Sequence, residues 1–492
     1  MISRAISAGL GFVGLMFINS YLGPDAYGTI AWTLALVATF NCISDLGFNF
    51  AHVKRVSEGN DLSNCVSTFI IIKLILMGAM VVFILTSMFV WTSVFGYKLT
   101  DTSMEIVMLF IIYHVFLDVA YIATFTFDAL MEAASTQLVL LMDPLIRVPM
   151  VIFIAVNLFN TTILAFAYAL GGLATALAGM ALLVKKGLRL RKPHMFRSYL
   201  KFAVPIATIT IMAALSINID KVVIGFFWAS DTVGYYATSQ RVLELLLMVG
   251  LAVSTMTFPA FSKLFNEGNL NKVRALTKKA ERYTVMVAFP IVVVVLIFPS
   301  QVLVIFFGES FEPAGDIFQI LAIGTLLTLL NEIYFSQINA VNRPDLSARL
   351  YFISLSVNIL LLLVFVPTSI VGVKMLGLAG VGAAIARTVS IIAMFLTTRF
   401  VIYRLTGTSM NPRMIVIVMA ACITGLIIAF IGGFWPMAYW FGLVVYGILS
   451  FGIFATILWL LRELKREDIQ YFLNVINPLE MRKYIISEIR RK

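Results

Sequence analysis

Charge is scarce in this chain. Only 12% of its 492 residues are Asp, Glu, Lys or Arg, about half of the roughly 25% usual in soluble domains. Cysteine is rarer still: Cys42, Cys65 and Cys422 are few, odd in number and far apart, so neither a disulfide framework nor a cysteine metal site is indicated. The three histidines, His52, His114 and His194, fall at no ligand-like spacing, which leaves metal catalysis without donors. No D-x-D occurs either. What the chain does hold is apolar: 61% hydrophobic residues, with 40 phenylalanines and 6 tryptophans. A water-soluble core cannot absorb so much apolar surface without exposing it. The chain reads as an all-α, polytopic membrane protein and not as an enzyme.

Crossing the hydrocarbon takes about 20 apolar residues. On that ruler about fourteen spans are expected, at 3–22, 29–51, 66–91, 104–127, 138–158, 161–184, 200–228, 234–262, 283–307, 315–340, 350–368, 380–403, 414–434 and 439–461. The formal net charge of +11 does not point to nucleic acid, because the cations gather in alternate connections. These hold Lys54 and Arg55, then Lys185 to Arg197, then Lys263 to Arg282, then Arg343 and Arg349, then Arg404 and Arg413. The opposite connections offer little beyond Lys98 and Lys374. That asymmetry predicts a cell-membrane protein with both termini cytoplasmic. The tail, 462–492, mixes cations with Tyr471, Phe472, Leu473 and Ile476. It reads as interfacial amphipathic helices on the anionic inner leaflet.

Two local motifs have plain readings. GLGFVG, Gly9 to Gly14, is a formal G-x-G-x-x-G, but no strand precedes it, so close helix packing is expected in place of a dinucleotide. Asn160-Thr161-Thr162 is a formal sequon, but it sits too close to the membrane to carry weight.

The chain also repeats. YLGPDAYGTIAW from Tyr21 matches FWASDTVGYYAT from Phe227, with Asp25-x-x-Gly28 over Asp231-x-x-Gly234. VKRVSEGN ending at Asn60 matches SKLFNEGN ending at Asn269, and ALMEAASTQL from Ala129 parallels AVNRPDLSARL from Ala340. Each half thus has six spans in one orientation, as in parallel transporter repeats with a site between the halves. The expected units are bundles at 1–192 and 193–406, extra helices 13 and 14 at 407–461, and the tail. The first span begins almost at Met1 while the seventh is preceded by FRSYLKFAVP, so either a short first helix or an upstream start is expected.

Charges inside spans are costly and mark function by default. Lys73 lies near a span end, where snorkelling suffices. Asp143 and Arg147 are four apart and can pair on a helix. Asp220 and Lys221 stand side by side in the seventh span, Arg241 and Glu244 three apart in the eighth. Arg387 lies in the twelfth span, and Asp118 and Glu332 lie mid-span. Lys221, Arg241 and Arg387 have no charged counterparts in the first half. An unduplicated cation set on a duplicated scaffold suits one central site for an anionic ligand; local ion pairing is the competing reading.

With these residues in hand, the chain resembles the polysaccharide-transporter branch of the multidrug/oligosaccharidyl-lipid/polysaccharide exporter superfamily. YLGPDAYGTIAW, SDLGFNFAHVKRVSEGN, NIDKVVIGFFWASDTVGYYATSQRV, FPAFSKLFNEGN, INAVNRPDLSAR and GLAGVGAAIAR carry the resemblance. It implies two six-helix bundles in a V plus two further helices, and export of a polyprenyl-(pyro)phosphate-linked oligosaccharide by alternating access. The family's cation-lined cavity would be supplied by Arg4, Arg147, Lys221, Arg241 and Arg387, with Tyr235 and Gln240 on the sugar path. Asp118, Asp220, Glu244 or Glu332 would couple H⁺ or Na⁺. Membrane lipid and glycan assembly enzymes are the expected partners, with no nucleic acid and no metal. The alternative is a cation-coupled multidrug antiporter of the same superfamily, whose site should favour carboxylates and aromatics for cationic drugs.

Overall fold

Backbone inside hydrocarbon must satisfy its own hydrogen bonds, and a helix does so with local residues alone. The computed structural model accordingly is built of helices. It describes residues 2–94, 100–187, 191–370, 372–437, 439–464 and 468, without the side chains of residues 2, 4, 5, 94 and 249. Thirteen helices among these are long and apolar enough to cross a membrane. The first, α1 (Ile2–Asp45), is two expected spans in one: Gly23, at φ 78° and ψ −177°, breaks the helix just before Pro24. Counting α1 twice gives the fourteen crossings.

A short α2 (Phe48–Ser57) precedes α3 (Leu62–Val94), α4 (Asp101–Ala129), α5 (Ala133–Val156) and α6 (Thr161–Val184). The second half begins with α7 (Phe196–Phe227), α8 (Ser230–Asn266) and α9 (Leu270–Ile297). The expected span 283–307 is interrupted, because the chain bends at Phe298 and restarts as α10 (Pro299–Phe307) with proline at its first position, where its missing N–H costs nothing. Then come α11 (Gly315–Ala340), α12 (Pro344–Phe365), α13 (Ala379–Thr406), α14 (Arg413–Phe434) and α15 (Trp440–Leu460), with a two-residue hairpin pairing Ser369–Ile370 to Val373–Lys374 before α13.

The repeat is visible in bonds as well as letters. Gly59 and Gly268 both take left-handed φ, at 81° and 68°, after α2 and α8. Met131 and Asn342 both do so in the α4–α5 and α11–α12 turns, at 60° and 61°. In each of those turns a hydroxyl closes back eight residues: Thr136 Oγ1 donates to Asp128 Oδ1 at 2.7 Å, and Ser347 Oγ to Asn339 Oδ1 at 2.9 Å.

The two halves meet about an approximate two-fold. A Cβ on Gly28 would stand 1.7 Å from the Ser230 carbonyl oxygen, and one on Gly234 would stand 2.1 Å from that of Pro24. Since Pro24 matches Ser230 and Gly28 matches Gly234 in the repeat, this is one contact made twice. Residue i touching j′ while j touches i′ is the mark of two-fold packing. A second reciprocal pair lies beside it: Asn19 Nδ2 donates to Thr238 Oγ1 at 2.9 Å, and Gly225, the match of Asn19, packs on Trp32, the match of Thr238.

Several sequence expectations need correction. Gly9 to Gly14 is not a tight helix-packing stripe: a Cβ on Gly9 would meet nothing within 4 Å, and those on Gly11 and Gly14 would come no closer than 3.8 and 3.6 Å to a neighbour. Lys73 does not snorkel. It is fully enclosed, donating to Asp118 Oδ1 at 3.1 Å and to the Ser44 carbonyl at 3.0 Å. Asn160 serves as a helix cap, its Oδ1 accepting from the Ile163 amide at 3.0 Å. Lys98, and the expected tail apart from residues 462–464 and 468, lie outside the described residues.

Candidate functional site

Between the halves lies a cavity of about 250 Å³, walled by α1, α4, α5, α6, α7 and α8. Gly11 and Gly14 of α1 keep it open, because side chains there would fill it. Arg147 reaches it from α5, gripped by Asp143 one turn earlier through contacts of 2.8 and 3.1 Å. Gly171 makes that grip feasible: a Cβ there would lie 2.5 Å from Asp143 Oδ1. The Arg147 guanidinium also covers the Tyr168 ring at 4.6 Å. From the second half come Lys221 on α7 and Gln240, Arg241 and Glu244 on α8. Arg241 pairs with Glu244 at 2.7 Å. Lys221 Nζ donates to Gln240 Oε1 at 3.3 Å and has no carboxylate within 4 Å among the described residues. Counting Asp143, three cations therefore face two carboxylates, and both halves contribute.

Asp220 and Lys221 do not form a pair. Neighbours on a helix diverge by about 100°, so while Lys221 turns to the cavity, Asp220 turns into the second half and is wholly buried. There it accepts from Tyr236 Oη and Asn358 Nδ2, both at 2.7 Å, and lies 3.6 Å from Arg387. Arg387 also donates to the Ser216 carbonyl. It borders a separate cavity of about 470 Å³ inside the second half, together with Glu332, Asn331 and Tyr351. Of the four candidate coupling carboxylates, Asp118 is bound to Lys73, Asp220 to two hydrogen-bond donors and the Arg387 ion pair, and Glu244 to Arg241. The Glu332 carboxylate has no partner among the described residues. Tyr235 packs edge-on against Phe311 at 5.9 Å and lines neither cavity. The Arg4 side chain lies outside the described residues.

Comparison with known proteins follows the same outline. Residues 1–265 match the family described as polysaccharide biosynthesis protein. The chain belongs to that family. Residues 205–364 also match the MatE family. Among curated relatives, the probable low-salt glycan biosynthesis flippase Agl15 of Haloferax volcanii is 24% identical over 391 residues, 79% of each chain. The probable flippase AglR of the same organism is 27% identical over 175 residues, 35% of each chain. Among solved structures, the lipid II flippase MurJ in an inward closed conformation superposes with a TM-score of 0.74 at 16% identity, covering 93% of this chain and 98% of that one. An inward-facing MATE family multidrug transporter gives 0.67 at 18% identity, covering 82% and 96%. At those identities the structures speak for the fold alone. The protein is a multi-pass membrane protein of a transporter family, not a catalyst.

Within this family member the cavity also holds three tyrosines that sequence reasoning passed over: Tyr27, Tyr113 and Tyr168. None of their hydroxyls has a hydrogen-bond partner among the described residues. Together with Asn218 and Gln240 they supply neutral polar groups beside the cations. Tyr113 and Tyr168 stand edge to face at 5.9 Å. A tyrosine in an apolar span looks like ordinary core until its neighbours are known, so the pattern held no signal for them.

Proposed function

We propose that this protein is a flippase that moves a polyprenyl-(pyro)phosphate-linked oligosaccharide across the cytoplasmic membrane by alternating access, with both termini cytoplasmic. The observation that carries the proposal is the cavity between the halves, where Arg147, Lys221 and Arg241 outnumber their carboxylates. Guanidinium and ammonium groups shielded from water hold phosphate oxygens strongly. Lys221, with no acidic partner among the described residues, is the cation freest to do so. Tyr27, Tyr113, Tyr168, Asn218 and Gln240 meet sugar hydroxyls, while the polyprenyl chain stays in lipid. The relatives named as flippases support this reading, as does the family match over residues 1–265.

Glu332 is the carboxylate assigned to H⁺ or Na⁺ coupling, because its carboxylate has no partner among the described residues and it borders the second cavity. Arg387 is removed from the substrate set, since it serves Asp220. The match to MatE supports the multidrug reading, but a cavity with excess positive charge repels cationic drugs. Complementation of a strain lacking its lipid-linked oligosaccharide flippase separates the two. Rescue of surface glycan with no gain in drug resistance is expected; drug resistance without rescue would overturn the proposal.

A further inference from the structure

A second polar opening lies at the end of the molecule that carries the 23–28 and 228–234 turns. It has a volume of about 420 Å³ and is walled by Trp32, Trp91, Trp228, Phe226, Thr100 and Ser103, with the turn backbone between them. That volume falls in the range of roughly 300–1,000 Å³ typical of small-molecule sites. Half of the chain's 6 tryptophans line it. Membrane-belt tryptophans face lipid headgroups, and Trp435, Trp440 and Trp459 have that character at 69, 71 and 63% exposure. Trp32 does not: it is 8% exposed and lies between the halves. Trp228 is fixed by its indole N–H, which donates to the Val366 carbonyl at 2.8 Å. Trp91 meets Phe226 edge to face with ring centres 3.9 Å apart.

The approximate two-fold singles out Trp32. Its match, Thr238, is hydrogen-bonded to Asn19. On the other side of the axis the same contact is Trp32 on Gly225, and the Trp32 indole N–H is buried without a hydrogen-bond partner among the described residues. A buried unpaired donor is an unfavourable arrangement, and parting of the halves at this end would release it toward the opening.

We propose that this opening is a saccharide-binding site, taking one pyranose ring or a disaccharide of the carried glycan. Sugar C–H faces carry partial positive charge and stack on the negative faces of aromatic rings, while the Thr100 and Ser103 hydroxyls and the Trp32 N–H meet sugar hydroxyls. No carboxylate lines the opening among the described residues, which disfavours an organic cation as occupant. The proposal rests on the flippase reading only for the source of the sugar.

The test uses the purified full chain in nanodiscs and saturation-transfer difference NMR. The probes are the methyl glycosides of glucose, galactose, mannose and N-acetylglucosamine, with tetramethylammonium as the contrasting ligand. Saturable transfer to ring C–H protons of at least one glycoside is expected, weakened about two- to tenfold in Trp91→Leu and in Ser103→Ala. Should Trp91→Leu fail to fold, the wild type alone decides: the bound glycoside should shield Trp91, but not Trp459, from N-bromosuccinimide oxidation read by mass spectrometry. No saturable glycoside, binding unchanged in folded variants, or tetramethylammonium binding in place of sugar would each overturn the site. A chain that binds glycosides but moves no lipid-linked oligosaccharide refutes the flippase reading and leaves the site standing. A working flippase that binds no glycoside refutes the site alone.

Discussion

Lys73 and Asp118 are enclosed from water, so each charge depends on the other. Removing one partner of such a pair strands the remaining charge and costs about 3–5 kcal/mol, whereas replacing both by apolar groups is often neutral. Lys73→Met should therefore lower the unfolding midpoint in detergent sharply, and Lys73→Met with Asp118→Leu should recover most of the loss. A double-variant loss equal to the sum of the Lys73→Met and Asp118→Leu losses would show that the pair is not coupled. Asp220 obeys the same logic with two hydrogen-bond donors and the Arg387 ion pair. Tyr236→Phe removes one hydrogen bond to that carboxylate and should cost about 1.5–3 kcal/mol, read by the same melt; no loss would mean that Asn358 and Arg387 suffice. These pairings could not be read from the sequence. Lys73 looked able to snorkel because its distance from a span end was visible and its partner, 45 residues on, was not.

At the scale of elements, the turns at 23–28 and 228–234 do more than join spans. Gly28 and Gly234 let the two turns touch backbone to backbone, where any side chain would collide. Gly28→Val and Gly234→Val should each hold the halves apart at that end. Spin labels placed on the two turns should report a longer distance, and transport should fall. An unchanged distance in both variants would mean the turns close by another route. Both turns stood out in the sequence because Asp-x-x-Gly recurs at a fixed offset, which revealed their equivalence but not that they meet each other. The helices were legible for a simpler reason: hydrocarbon demands long apolar runs, and all fourteen expected crossings are present once α1 is divided at Gly23. Adjacency in sequence is not contact: neighbours on a helix do not face each other, so Asp220 and Lys221 serve different surroundings.

At the scale of the molecule, a duplicated scaffold carries an unduplicated site. The match of Lys221 is Leu15, that of Arg241 is Ala35, and that of Asp220 is Gly14, so the cavity is uncharged where the first half's α1 lines it, with Tyr27 as its polar group there, and charged where α7 and α8 do. Arg147, Lys221, Gln240, Arg241 and Glu244, scattered over about 100 residues of sequence and gathered by the repeat, converge on one cavity. Arg387 does not join them, because Asp220 holds it in the second half. Glu332→Gln should leave substrate binding in place and remove the dependence of transport on an imposed ion gradient; retained dependence would assign coupling elsewhere. The central claim is that the cations of the inter-half cavity carry a phosphate headgroup. Its most direct test is the initial rate of polyprenyl-diphosphate oligosaccharide flipping in proteoliposomes by wild type and Lys221→Gln. One lost charge-assisted contact, about 1.5–3 kcal/mol, predicts a rate about ten- to a hundredfold lower in a protein that still folds. A folded Lys221→Gln protein that flips at the wild-type rate would contradict it.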